Sequence, residues 1–125
     1  TQNKIPFERE NNNIWAYNQY FDKSKPTLLL NSHHDTVKPN QGYTNDPFKA
    51  IVKDGKLFGL GSNDAGGCLV SLIATFTHFY ATENLPYNIV IVASAEEENS
   101  GKKGLNSVLK HLPELPTAAC ASYRA

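Results

Sequence analysis

Two short, unbroken apolar runs constrain this chain more than any other feature. They are "TLLLNS" at residues 27–32 and "NIVIVASA" at residues 88–95. Runs of this length and make-up predict strands buried on both faces, which requires helices on both sides of a sheet. Each run stops abruptly at ionisable residues: His33-His34-Asp35 follow the first, and Glu96-Glu97-Glu98 the second. Burial therefore ends where chemistry-bearing side chains begin.

The rest of the chain supplies the elements such a sheet needs. "IWAYNQY" (residues 14–20) is rich in strand formers, and "KSKP" breaks it. Asp54-Gly55, between "AIV" and "KLF", is a two-residue turn signal that predicts a hairpin. Leu69, Leu72, Ile73, Phe76 and Tyr80 recur at helical spacing, so residues 66–82 are expected to form an amphipathic helix packed on the sheet. Ser100 is expected to cap a second helix over 102–112, which "LPELP" ends. "TAACASYRA" begins like another buried strand. Strands alternating with helices imply an α/β fold with a right-handed crossover and a mainly parallel sheet.

Composition excludes several function classes. A chain of 125 residues, 40% apolar and 19% charged, is sized for one folded domain and is not a disordered segment. Twelve basic residues balance twelve acidic ones, which predicts neither nucleic acid nor membrane as a partner. No apolar stretch approaches the roughly 20 residues of a membrane span. The polar start "TQNKIPFEREN" has no signal-peptide pattern, so a cytoplasmic location is expected. Cys68 and Cys120 stand far apart in no metal-binding or redox spacing, and are expected to be free thiols.

In open α/β sheets, working groups gather past the carboxyl ends of strands. Here three such ends carry them: His33-His34-Asp35, Asp64 after the hairpin and "LFGLGSND", and Glu96-Glu97-Glu98. Each has a plain reading of its own. His-His-Asp fits a solvated turn, the glutamates fit an acidic helix start, and Gly59 and Gly61 fit a tight turn, with no GK[ST] to make a phosphate loop. Together at one rim they would repel or desolvate one another without compensation, and a divalent metal ion is the common compensation.

"SHHDTVKP", "FGLGSNDAGG" and "SAEEENSG" resemble, in order and spacing, the N-terminal signature blocks of the M20 family of dinuclear zinc hydrolases. The resemblance covers about residues 14–117 and looks closest to the acetylornithine deacetylases. It implies a three-layer αβα zinc-exopeptidase-like fold with a mixed, mainly parallel sheet. It makes His33 a zinc ligand, Asp35 the residue holding the other ring nitrogen of His33, and Asp64 a carboxylate bridging two Zn2+ ions. Co2+ or Mn2+ would suit the same ligands. A non-proline cis peptide is implied at Asp64-Ala65.

Side chains alternate along a strand, so two adjacent glutamates are not expected to approach one ion from regular backbone. The resemblance makes Glu97 the general base and Glu98 a ligand. A register shifted by one, with Glu96 as base and Glu97 as ligand, stays open, and His34 and Glu96 have no assigned chemistry. The implied reaction is hydrolysis of a small N-acyl amino acid such as N-acetylornithine, or of a peptide, by metal-activated water. Aminopeptidase, dipeptidase and desuccinylase activities, and a non-catalytic folded fragment, are the alternatives.

The pattern departs from the family in two places. Gly66 stands where a lysine is common, and the family enzymes run to several hundred residues. Residues 1–125 are thus expected to be the N-terminal portion of a catalytic domain, without the lid or dimerisation domain through which the whole protein could form a homodimer. Each ion would have two protein ligands here, so the chain alone is expected to bind metal weakly and turn over little.

Overall fold

A parallel pair of seven-residue strands forms the centre of the molecule. The computed structural model describes residues 4–112 and 118–121. Strands β1 (Glu8–Glu10), β2 (Asn13–Tyr17), β3 (Thr27–His33), β6 (Asn88–Ser94) and β7 (Ala118–Ala121) form one sheet in the order β1-β2-β6-β3-β7. β3 runs parallel to both β6 and β7, whereas β2 is antiparallel to β1 and β6. The sheet is thus mixed, as expected, with its parallel part where the apolar runs lie.

Helices cover both faces. Trp15, Leu29, Val90 and Val92 face the side of helix α2 (Leu105–Leu109), where Val108 and Leu112 complete a buried cluster. Ala16, Leu30, Ile89 and Ile91 face the other side, where Phe76 of helix α1 (Cys68–Phe79) is buried among them with Leu72, Phe79 and Tyr80 alongside. Alternate residues of β3 and β6 serve opposite clusters, which is why both strands read as unbroken apolar runs. This is the three-layer αβα arrangement. No helix among the described residues is long and apolar enough to cross a membrane.

Several boundaries differ from those expected, each for a local reason. β2 ends at Tyr17 because Asn18 turns its side chain to the backbone, accepting from Ile89 N at 2.8 Å. Helix α1 begins only at Cys68, since Ser62–Gly67 forms a wide turn with non-helical angles at Asp64 and Ala65. Ile73, expected in the core, is exposed, because α1 meets the sheet along a narrow stripe through Leu72 and Phe76.

Helix α2 is shorter than expected, and Ser100 does not cap it. Ser100 has φ +51°, and extended Gly104 precedes the helix instead. The hairpin forms as expected from β4 (Ile51–Lys53) and β5 (Lys56–Phe58), with Asp54 and Gly55 both at positive φ, as a type I′ turn requires. β7 matches the strand expected near the end of the chain. Cys68 is a free thiol.

Buried asparagines fasten the ends of the sheet. Asn88 accepts from Asp22 N at 2.9 Å and donates to the carbonyls of Asp22 (2.8 Å) and Lys25 (3.2 Å), tying the β2–β3 connection to the start of β6. At the opposite end Asn13 accepts from Ala95 N (2.9 Å) and donates to the carbonyl of Lys103 (2.7 Å). Removing such a side chain leaves buried backbone groups without partners, at about 1–3 kcal/mol. Asn88→Ala is therefore expected to lower unfolding free energy in urea by about that amount, while exposed Asn12→Ala stays within about 0.5 kcal/mol. Equal midpoints for the two variants would refute the fastening role.

Candidate metal centre

The parallel register places the site. Thr27 pairs with Asn88 and, at the far end, His33 with Ser94, so β3 and β6 finish level with each other. His33 closes β3 and is 7% exposed. Its ring lies between two acidic neighbours. Nδ1 is 3.1 Å from the backbone carbonyl of Asp35 and 3.4 Å from its Oδ1, and Nε2 is 3.0 Å from Asp64 Oδ1. Asp35 is thus the expected neighbour of that ring nitrogen, but the carbonyl, not the carboxylate, takes the hydrogen bond.

Asp64 arrives from the other direction, through the turn Ser62–Gly67, with a cis peptide at Asp64-Ala65. Gly61 precedes that turn at φ +74°, and a Cβ there would stand 2.4 Å from Thr36 Cγ2, so the close approach needs glycine.

The third contribution follows β6. Glu98 offers a carboxylate oxygen that, with the donor atoms of His33 and Asp64, forms a group within 4.8 Å of one another. Its backbone N–H donates to Asp35 Oδ2 at 3.1 Å, linking the two strand ends directly. Glu97 Oε2 stands 3.7 Å from His33 Nε2, with its side chain 54% exposed. Both glutamates therefore approach the same imidazole. Strand alternation does not separate them, because β6 ends at Ser94 and Glu96 has φ +59°.

Glu96 points elsewhere. Its Oε2 accepts the N–H of Lys103 at 2.9 Å and its carbonyl accepts that of Gly101 at 3.0 Å. His34 turns away from the cluster and donates from Nε2 to the carbonyl of Asn12 at 2.8 Å. Neither His78, against Phe79, nor His111, stacked on Trp15, belongs to the group. Sequence reading left Glu96 without a role, and the glycines at 101 and 104 were the available signal.

The electrostatics of the cluster fit a cation. Burial pulls the His33 pKa down, but the hydrogen bond to Asp64, the Asp35 carbonyl and the charges of Glu97 and Asp35 outweigh it and hold it above the ordinary histidine value. With Nδ1–H given to the Asp35 carbonyl, a neutral ring turns the lone pair of Nε2 toward the anionic oxygen of Asp64. That contact is repulsive for the neutral ring, and a proton on Nε2 or a cation bound in its place relieves it. One imidazole nitrogen with carboxylate oxygens is also a donor set that borderline divalent ions accept. His33, Asp64 and Glu98 are the residues that would hold such an ion.

Comparison with known proteins agrees with this geometry. Succinyl-diaminopimelate desuccinylase of Buchnera aphidicola subsp. Cinara cedri is 33% identical over 109 residues, covering 85% of this chain and 28% of that protein. Human carnosine dipeptidase 1 superposes with a TM-score of 0.69 at 26% identity, over 90% of this chain and 25% of that one. An M20 family metallo-carboxypeptidase of Sulfolobus solfataricus, Sso-CP2, shares the fold with a TM-score of 0.75 at 21% identity, over 97% of this chain and 29% of that one. The chain spans about a quarter of the length of the curated relatives it matches. The family model for peptidases M20/M25/M40 matches residues 29–122, an extent that includes every strand end delivering a donor to the cluster, and on that extent the chain belongs to peptidase family M20/M25/M40.

Proposed function

We propose that this chain carries the metal centre and general base of an amide hydrolase acting on an N-acyl amino acid. The observation that carries the reading is the convergence of His33, Asp64 and Glu98 within 4.8 Å, with Glu97 beside them and open to solvent. His33, Asp64 and Glu98 are the ligands and Asp35 orients His33. A divalent ion, Zn2+ in the first instance with Co2+ or Mn2+ as substitutes, supplies a Lewis acid that polarises a carbonyl oxygen and acidifies water. Glu97 takes the proton from the attacking water and returns it to the departing amine, a double role that a half-exposed carboxylate at the rim can fill. The products are a carboxylate and a free amine.

Succinyl is the acyl group of first choice, because desuccinylases of several bacteria are 33–34% identical to this chain. N-acetylornithine, which the glutamate block favours by resemblance, is the second member of the class. A dipeptide is the other reading, supported by the likeness to carnosine dipeptidase 1. The proposal includes a cytoplasmic enzyme in which these residues form the N-terminal portion of the catalytic domain of a longer protein. A second ion, the lid and a homodimer belong to that whole.

Two measurements test the reading. In the intact gene product, calorimetric titration with Zn2+ is expected to show affinity falling at least about tenfold in His33→Ala and Asp64→Ala. Unchanged affinity in both would dissolve the cluster as a metal centre. Hydrolysis of N-succinyl-diaminopimelate, N-acetylornithine and a dipeptide panel is expected to favour the first. Glu97→Gln should lower kcat about 10²–10⁴-fold while leaving Zn2+ affinity within about threefold. Preference for dipeptides would move the enzyme to the second reading, and turnover by Glu97→Gln at the wild-type rate would remove Glu97 as the base.

A further inference from the structure

The turn after β6 is built around one carboxylate that has no part in the chemistry proposed above. Glu96 occupies the left-handed region at φ +59°, which turns its side chain back over the following residues. Its Oε2 accepts the N–H of Lys103 at 2.9 Å, seven residues on, while its own carbonyl accepts the N–H of Gly101 at 3.0 Å. Two glycines leave room for this. A Cβ on Gly101 would stand 1.9 Å from Glu96 Oε2 and 2.6 Å from its Cδ, and one on Gly104 would stand 2.8 Å from the carbonyl of Ala95. The loop is thus closed over the glutamate side chain at one end and against the strand end at the other.

Glu97 and Glu98 lie inside that closure. The carbonyl of Glu97 accepts the N–H of Ser100 at 3.1 Å, and the N–H of Glu98 donates to Asp35 Oδ2 at 3.1 Å. The direction in which the two side chains leave the backbone is therefore held from two sides: by Asp35 across the rim, and by Glu96 along the chain. Asp35 reaches only the second of the pair. Within the turn the Glu96 side chain packs over Gly101 and places its hydrogen bond on the Lys103 N–H.

We infer that Glu96 is a positioning residue: its carboxylate clasps the Lys103 N–H to fix the turn that aims Glu97 and Glu98 at His33 and Asp64, and it transfers no proton. The inference rests on the metal-hydrolase reading above. It also separates the two registers left open by the sequence, because a clasp needs only an acceptor oxygen whereas a base needs an ionisable one.

The test uses the intact gene product and two readouts, Zn2+ affinity by calorimetry and steady-state kinetics on the best substrate of the panel. Glu96→Ala is expected to weaken Zn2+ binding and to lower kcat by about 10–100-fold each, with KM within about threefold. Glu96→Gln keeps an acceptor for Lys103 and is expected to stay within about threefold of wild type in both. Gly101→Ala pushes the carboxylate off Lys103 with a methyl group and is expected to reproduce Glu96→Ala.

A Glu96→Gln enzyme that binds Zn2+ normally but has lost turnover would make Glu96 the base and overturn the proposal. Wild-type affinity and kcat in Glu96→Ala would overturn it too. So would failure of both Glu96→Ala and Gly101→Ala to fold, which would assign the clasp to stability alone. If the wild-type protein neither bound Zn2+ nor hydrolysed any member of the panel, the metal-hydrolase reading itself would fail, a result distinct from these.

Discussion

The site depends on the register between β3 and β6. Seven consecutive pairs, from Thr27 with Asn88 to His33 with Ser94, bring two separate parts of the chain to the same rim. A slip of one residue would turn every side chain of one strand to the other face and exchange the two cores. It would also carry Glu98 out of reach of Asp35 Oδ2, the bond that joins the rim. The register is well specified because Leu29 and Val90 pack toward α2 while Leu30 and Ile91 pack toward α1. Hydrophobic packing on two faces thus sets the distance between an imidazole and a carboxylate that share no apolar contact.

Packing alone does not explain why the ends of the strands are so well defined. Buried asparagines do that work. Asn88 and Asn13 are 1% and 0% exposed, and each engages backbone groups from connections that would otherwise be unpaired in the interior. Asn13 is the more consequential for function, since it holds Ala95 N and the carbonyl of Lys103, the two flanks of the glutamate turn. Stability and site geometry therefore share a residue that belongs to neither the apolar core nor the cluster.

Much of this was legible in the sequence, and the exceptions have physical causes. The unbroken apolar runs identified β3 and β6, and Asp54-Gly55 identified the hairpin, because burial on two faces and positive φ each leave a compositional trace. The residues His33, Asp64 and Glu98 were named from strand-end position and block resemblance, and the structure brings them together. Asparagine roles were not legible: a buried Asn and a solvated Asn look alike in sequence, and Asn11, Asn12 and Asn13 stand side by side with only the last buried. The failure of Ser100 as a cap has the same origin. A serine before a periodic segment fits an N-cap, but here the backbone at 96–104 is already engaged by Glu96, which leaves Ser100 at φ +51° and the helix to start after Gly104.

Three consecutive carboxylates pose an electrostatic problem that the fold solves by giving each a different environment. Glu96 is turned onto a backbone N–H, which satisfies one of its oxygens with a dipole. Glu98 joins His33 and Asp64 in a group whose donor atoms lie within 4.8 Å of one another, where a positive charge is favoured. Glu97, between them, is left half-exposed, 3.7 Å from the imidazole and open to solvent. A carboxylate so placed stays solvated, as the base proposed above must be, while Glu96 is committed to the turn and Glu98 to the group with His33 and Asp64. The separation cannot come from strand alternation, since the strand has ended. It comes from a single left-handed residue, Glu96, which breaks the alternation and lets adjacent side chains face a common centre with different exposure.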